Sequence, residues 1–179
     1  MVTLTRRTVL ESSAILAAAA ASPSMAQTRS LDDLVGIDAT GLAELLRSRK
    51  LSQTELVEII IRRIDVMNPA LNFMTNRAYD RARAKAETIP LDSPFAGVPI
   101  LMKDMIGIGG LPRTDGSRSM LGNVPGKNVS YVDGVERAGF NILGQTNVPE
   151  FASWVVTDNN LFGPTRNPWN PDFSVFSSS

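Results

Sequence analysis

Histidine and cysteine are both absent from the 179 residues, and each absence removes a chemistry. Without histidine there is no Ser-His-Asp triad, and without cysteine there is no thiol nucleophile, no disulfide and no lipid-carrying anchor residue. These two residues supply nearly all zinc ligation, so no zinc site is expected and only carboxylate-held hard cations remain open. An excess of one charge sign is missing too, since 18 Lys and Arg balance 18 Asp and Glu. A chain with no basic surplus, and no Lys/Arg cluster in its second half, lacks the surface by which nucleic-acid binders neutralise phosphate. No nucleic-acid partner is expected. What is present, 43% apolar and 20% charged residues, is ordinary for a globular chain whose length makes one domain with a usable core.

Long apolar runs are also lacking. The stretch Ala14–Ala21 is eight residues, mostly alanine, far short of the ~20 that a bilayer requires. Ahead of it stands Thr5-Arg6-Arg7-Thr8-Val9-Leu10, and behind it Ser22-Pro23 and the small-x-small step Ser24-Met25-Ala26. This layout reads as an export signal and is similar to the twin-arginine type. That type prefers Phe and Lys where Val9 and Glu11 stand, so the general secretory route stays open. Residues 1–26 are therefore expected to be an address cleaved after Ala26, leaving 153 residues in the periplasm with no stable membrane anchor.

The remainder divides by composition into a helical lead, 27–89, and the start of an α/β core, 90–179. Leu42, Leu45 and Leu46 share one helical face, and Leu56, Ile59, Ile60, Arg63 and Ile64 continue at three- and four-residue spacing. Ser52 and Glu55 form a capping box for the second helix, and Asn68-Pro69 is expected to end it. Leu71–Thr75 reads as a short strand and Tyr79–Glu87 as a third helix. Nine of the 11 prolines and 11 of the 13 glycines fall in residues 90–179, so that half is turns joining short buried elements. Val98–Met102 reads as a strand, Tyr131–Ala138 as a helix closed by Gly139, and Asn141–Leu143 as another strand. Strands separated by helices predict an α/β sheet.

Lys103 is the first candidate for chemistry. It follows the run Gly97–Met102, at the point where a buried strand meets the loop Gly107-Ile108-Gly109-Gly110, and strand ends in α/β folds are where sites are built. The alternative is a solvated Lys103–Asp104 pair finishing a strand. The loop is no phosphate cradle, because Pro112 stands where G-x-G-x-x-G needs its last glycine. The second candidate is the run Ser174–Ser179, four hydroxyls in six residues, whose alternative is a flexible polar tail. A serine hydrolase without histidine needs another proton acceptor, and a desolvated lysine is the physical alternative.

Several blocks in fixed order carry a resemblance. Gly97-Val98-Pro99 leading to Lys103-Asp104 resembles the G-V-P-x-x-x-K-D segment of the amidase signature family. Gly110-Leu111-Pro112-Arg113-Thr114-Asp115-Gly116-Ser117 is similar to its G-L-P-T-T-x-G-S stretch. Ile142-Leu143-Gly144-Gln145-Thr146-Asn147-Val148-Pro149-Glu150-Phe151 is similar to I-L-G-K-T-N-x-x-E-F, with Gln145 in place of the usual lysine. Gly163-Pro164-Thr165-Arg166-Asn167-Pro168-Trp169 resembles the G-x-T-x-N-P-W segment that leads into the family's Gly/Ser-rich signature. The helical lead, with Asn68-Pro69 and Asn72, is similar to that of the group containing the 6-aminohexanoate cyclic dimer hydrolases.

The resemblance implies the amidase signature fold, a central mixed sheet flanked by helices, and hydrolysis of a small-molecule amide by a Ser, cis-Ser, Lys triad without a cofactor. Lys103 matches the lysine, which acts as base on a bridging serine; that serine relays the proton from a nucleophilic serine. Counting from Asn167-Pro168-Trp169 puts the bridging serine at Ser178, with Phe176-Ser177 standing where the family has Gly-Gly or Ser-Gly. The nucleophile lies beyond Ser179 in the family. The chain is thus expected to be an incomplete amidase, inert by itself, or else a non-catalytic remnant or partner-binding module. The export signal and balanced charge disfavour the tRNA-linked amidotransferase branch.

Overall fold

The computed structural model describes residues 32–176. The export signal expected over 1–26, and Ser177, Ser178 and Ser179, lie outside the described residues. Among the described residues seven α-helices and β-strands follow in order, besides three single-turn 3-10 helices: α1 (Ala39–Arg47), α2 (Gln53–Leu71), β1 (Met74–Arg77), α3 (Tyr79–Ala86), β2 (Pro99–Lys103), α4 (Ser130–Arg137) and β3 (Asn141–Thr146).

The helices begin where the capping chemistry puts them. Asp38 accepts from the Gly41 amide at 2.8 Å and Ser52 Oγ from the Glu55 amide at 3.1 Å, each satisfying a first-turn donor that has no partner within the helix. The second helix does not end at Asn68-Pro69 but runs on to Leu71. Proline so near a C-terminus forfeits one backbone bond, and the turn still closes through Asn72 N–H on Asn68 O at 2.8 Å. Asn72 caps it in the left-handed region, at φ 51°, which asparagine tolerates. The Asn68 side chain then accepts from the Phe73 and Met74 amides, so the first strand starts at Met74 rather than Leu71.

The sheet has three strands in the order β1-β3-β2, with β1 antiparallel and β2 parallel to the central β3. β3 extends through Thr146, three residues beyond the expected Leu143, because both of its edges are paired. A strand covered on both sides is buried along its length, and five of its six residues are. Alternation sends Leu143 to one face, against Val57, Ile61 and Ile64 of α2 and Ala82 and Ala86 of α3. Ile142 goes to the other face with Met102, Ile108 and Val132 of α4. A third cluster, Ala43, Leu46, Leu51, Leu56 and Ile59, joins α1 to α2 and to Val98. Gly139, at φ 88°, supplies the left-handed turn between α4 and β3 that the sequence assigned to it.

This topology gathers chemistry at one end. The parallel strands β2 and β3 finish side by side, with Lys103 in register with Thr146. Antiparallel β1 begins at the same end, where Asn147 N–H bonds Phe73 O at 2.7 Å. Lys103, Asp104, Asn147 and the α2 cap Asn72 are thereby brought to one edge.

Candidate active site

Lys103 is the last residue of β2 and is half-buried; its carbonyl accepts from the Met105 and Ile106 amides at 2.8 and 3.0 Å, so the chain turns away directly after it. Asp104 turns inward and is fully buried. That rules out the solvated Lys–Asp pair. Its carboxylate accepts from Thr114 N–H at 2.9 Å and Thr114 Oγ at 2.6 Å, while its own N–H donates to Thr146 O at 3.0 Å and its carbonyl accepts from Asp115 N–H at 3.0 Å. One aspartate thus ties the end of β2 to both β3 and the 113–117 loop. Burial pushes the Asp104 carboxyl above the usual carboxylate range, and the hydrogen bonds from Thr114 and Thr75 oppose that shift.

The loop is braced further. Arg113 clamps Asp115 through two bonds, at 2.9 and 3.1 Å, and Asp115 O accepts from Phe151 N–H at 2.7 Å. Asp115 and Phe151 both sit at φ 51°, a conformation costing on the order of 1–3 kcal/mol each and retained where surroundings over-determine it. Beside them an open cleft of about 380 Å³ is lined by Glu150, Trp154, Val156, Asp158, Asn159 and Asn160. The glycine loop 107–110 is engaged by its own chain: Gly109 N–H bonds Asn128 Oδ1 and Gly110 N–H bonds Pro125 O, both at 2.9 Å. Gln145 is fully buried, its neutral amide contacting Asn76 and Ile106 O, a place where a lysine would have to carry its charge out of water.

On the β3 side, Asn147 uses its whole amide. Nδ2 donates to Gly163 O and Thr165 Oγ, both at 3.0 Å, and Oδ1 accepts from Val148 N–H at 3.0 Å and Asn159 Nδ2 at 2.7 Å. The Thr165 hydroxyl donates to Asn72 O at 2.8 Å, and Asn72 Nδ2 donates to Phe162 O and Pro164 O. Sequence reasoning does not mark Asn72, Asn147, Asn159 or Thr165 as site residues. Asn72, Asn147 and Thr165 do fall in segments that carry the resemblance, and that is the available signal. Of the two site residues expected from the sequence, Lys103 is at the strand end, whereas Ser178 lies two residues past the last described one. Among the described residues no group of three or more carboxylates gathers as a metal site, and no helix is long and apolar enough to cross a membrane.

Comparison with known proteins agrees with this arrangement. The amidase family model matches residues 55–179, and the chain belongs to the amidase signature family. It is 39% identical over 145 residues to the 6-aminohexanoate-cyclic-dimer hydrolase of Paenarthrobacter ureafaciens, covering 79% of this chain and 29% of that protein. It is 36% identical over 152 residues to the acylamidase of Rhodococcus erythropolis, covering 80% of this chain and 31% of the relative. A solved structure of 6-aminohexanoate cyclic dimer hydrolase complexed with substrate superimposes with a TM-score of 0.75 at 38% identity, over 79% of this chain and 30% of that one. The chain spans about a third of the length of the relatives it matches.

The raised Asp104 pKa has a sign that can be measured. A carboxyl that holds its proton more firmly when folded works against folding once ionised. That cost is absent below the ordinary value of ~4 and grows as pH rises through the folded pKa. Asp104→Asn, which is never charged, should therefore gain stability relative to the parent as melting is followed from pH ~4 to pH ~7. Asp104→Ala should lose about 2–5 kcal/mol at either end, because it strands the Thr114 amide and hydroxyl. A pH-independent difference between Asn variant and parent would contradict the buried-carboxylate account.

Proposed function

We propose that this chain supplies the base and relay of an amide hydrolase, Lys103 and Ser178, and that the complete enzyme converts a small-molecule carboxamide and water to acid plus amine. Lys103 accepts the proton of Ser178 as Ser178 accepts that of the nucleophilic serine; the reverse path delivers a proton to the departing amine. The observation that carries this reading is Lys103 at the end of β2, paired in parallel with the buried strand β3, its neighbour Asp104 fixed from three directions. Membership of the amidase family supplies the reaction class. On this reading, as the family resemblance implies, the nucleophile and oxyanion donors lie outside these 179 residues, which alone would be inert.

Similarity by itself does not divide hydrolases from the amidotransferase branch, since a glutamyl-tRNA(Gln) amidotransferase component of Acidothermus cellulolyticus is 35% identical over 150 residues. The balanced charge and the signal-like residues 1–26 favour the exported hydrolase. A second reading, a partner-binding module without catalysis, draws on the large apolar side chains exposed late in the chain: Trp154, Trp169, Phe173 and Phe176.

The catalytic reading is tested in the chain continued by the remaining fold of the Paenarthrobacter ureafaciens relative, with Phe176 and Ser177 both changed to Gly. Lys103→Ala should abolish turnover without unfolding the protein, and Lys103→Arg, which cannot accept a proton, should be as poor. Ser178→Ala should depress activity strongly, though less than loss of the nucleophile. Appreciable turnover in Lys103→Arg excludes the base role, and an equal loss at Ser179→Ala would displace the relay from Ser178. The unextended chain should not react with a fluorophosphonate probe.

Export carries its own test. Protein recovered from the periplasm of an expressing bacterium should begin at Gln27, and Arg6→Lys with Arg7→Lys should block export if the twin-arginine route is used. Recovery of only uncleaved protein from the cytoplasm would remove the periplasmic assignment.

A further inference from the structure

The segment that leads toward Ser178 is fastened to the Lys103 end of the sheet by side chains outside the triad. Residues 165–175 fold back on themselves: Asn167 N–H bonds Phe173 O at 2.8 Å, Arg166 and Ser174 form an antiparallel bridge, and Val175 N–H bonds Thr165 O at 3.2 Å. This small hairpin docks on the fold at Thr165. The Thr165 hydroxyl accepts from Asn147 and donates to Asn72 O, its N–H bonds Thr157 O at 2.9 Å, and the next amide, Arg166, bonds Leu71 O at 2.8 Å. Asn147 follows Thr146, the register partner of Lys103, and Thr146 O accepts from Asp104 N–H. A continuous path of covalent and hydrogen bonds therefore runs from Lys103 across Thr146, Asn147 and Thr165 to Val175, three residues before Ser178.

We propose that Asn147 and Thr165 are positioning residues that set the spacing between Lys103 and the segment carrying Ser178. The proposal rests on the base and relay reading above for its catalytic meaning, and on the hydrogen bonds alone for its geometry. Asn147 and Thr165 are both buried. Asn147 fills both donor and both acceptor positions of its amide, and so has one rotamer in which all four contacts are met. The Thr165 hydroxyl is donor and acceptor at once, so only a hydroxyl-bearing side chain completes the link. A proton relay needs its members held to within a fraction of an ångström, and a misplacement of ~1 Å costs on the order of 100-fold. The two residues take no part in the proton transfer; what they provide is distance.

The absence of cysteine makes the geometry measurable in the chain as it stands. Nitroxide labels on Met105→Cys, two residues past Lys103, and Phe176→Cys, which is exposed, report the separation by dipolar electron paramagnetic resonance. The parent and Thr165→Ser should give one narrow distance distribution. Thr165→Val, which keeps the shape and loses the hydroxyl, should broaden it while helical circular dichroism is retained. Should the valine variant unfold, Asn147→Asp gives the same readout, since it keeps the acceptor for Val148 and Asn159 and removes both donors. In the extended enzyme Thr165→Val should lower kcat about 10- to 100-fold with KM within about twofold, and Thr165→Ser should restore most of it. A narrow distribution in both Thr165→Val and Asn147→Asp, or broadening in Thr165→Ser equal to that in valine, overturns the proposal. If Lys103→Ala leaves turnover intact while Thr165→Val still broadens the distribution, the catalytic role of Lys103 falls and the positioning link stands.

Discussion

Polar groups withdrawn from water at the end of a parallel strand pair must find partners within the chain, and the arrangement of this molecule follows from how β2 and β3 meet that demand. At β2 the answer is a carboxylate: Asp104 takes the amide and hydroxyl of Thr114 and hands its own backbone to β3 and to Asp115. At β3 the answer is an amide: Asn147 draws in Gly163, Thr165, Val148 and Asn159. Each partner left unsatisfied would cost ~1–3 kcal/mol. Two loops distant in sequence are thereby obliged to lie at the same sheet edge as Lys103.

The apolar core makes that edge rigid. β3 is packed on both faces, by α2 and α3 against Leu143 and by α4 against Ile142, so its end cannot shift without disturbing two clusters. Ion pairs add ties between helices, with Arg83 on Glu58 of α2 and Arg81 on Glu136 of α4. The Glu58 carboxyl is held below its usual range chiefly by its hydrogen bond from Arg83. These groups are near the surface and contribute little to stability compared with the buried strand. Rigidity at the strand ends is what the proposed relay of lysine and serine would need, since proton transfer requires fixed, short paths.

Much of the scaffold is legible in the sequence because it is written in local patterns. Three- and four-residue spacing marks the helices, the Ser52–Glu55 capping box marks the start of α2, and the run before Lys103 marks β2. Where local reading fails, a longer-range contact has overridden it. Pro69 reads as a terminator, yet the turn around it closes on Asn72 and on the backbone it meets ninety residues later. The strand read over Asn141–Leu143 runs on through Gly144-Gln145-Thr146, because pairing on both edges extends it. Period-two alternation from Met102 puts Asp104 on the inward side, a signal that is present and carries less weight than its charge. The Asn147–Thr165 link joins two motif blocks whose closeness only the fold reveals.

Amide hydrogen exchange on the 179-residue chain tests most directly whether the Lys103 end of the sheet is a preformed half of an active site. The account predicts that the Thr114, Thr165 and Val175 amides exchange slowly, with protection approaching that of the β3 amides Leu143 and Gln145, because all of them open together. Exchange of Thr114, Thr165 and Val175 at the rate of unstructured peptide, with β3 still protected, would contradict it.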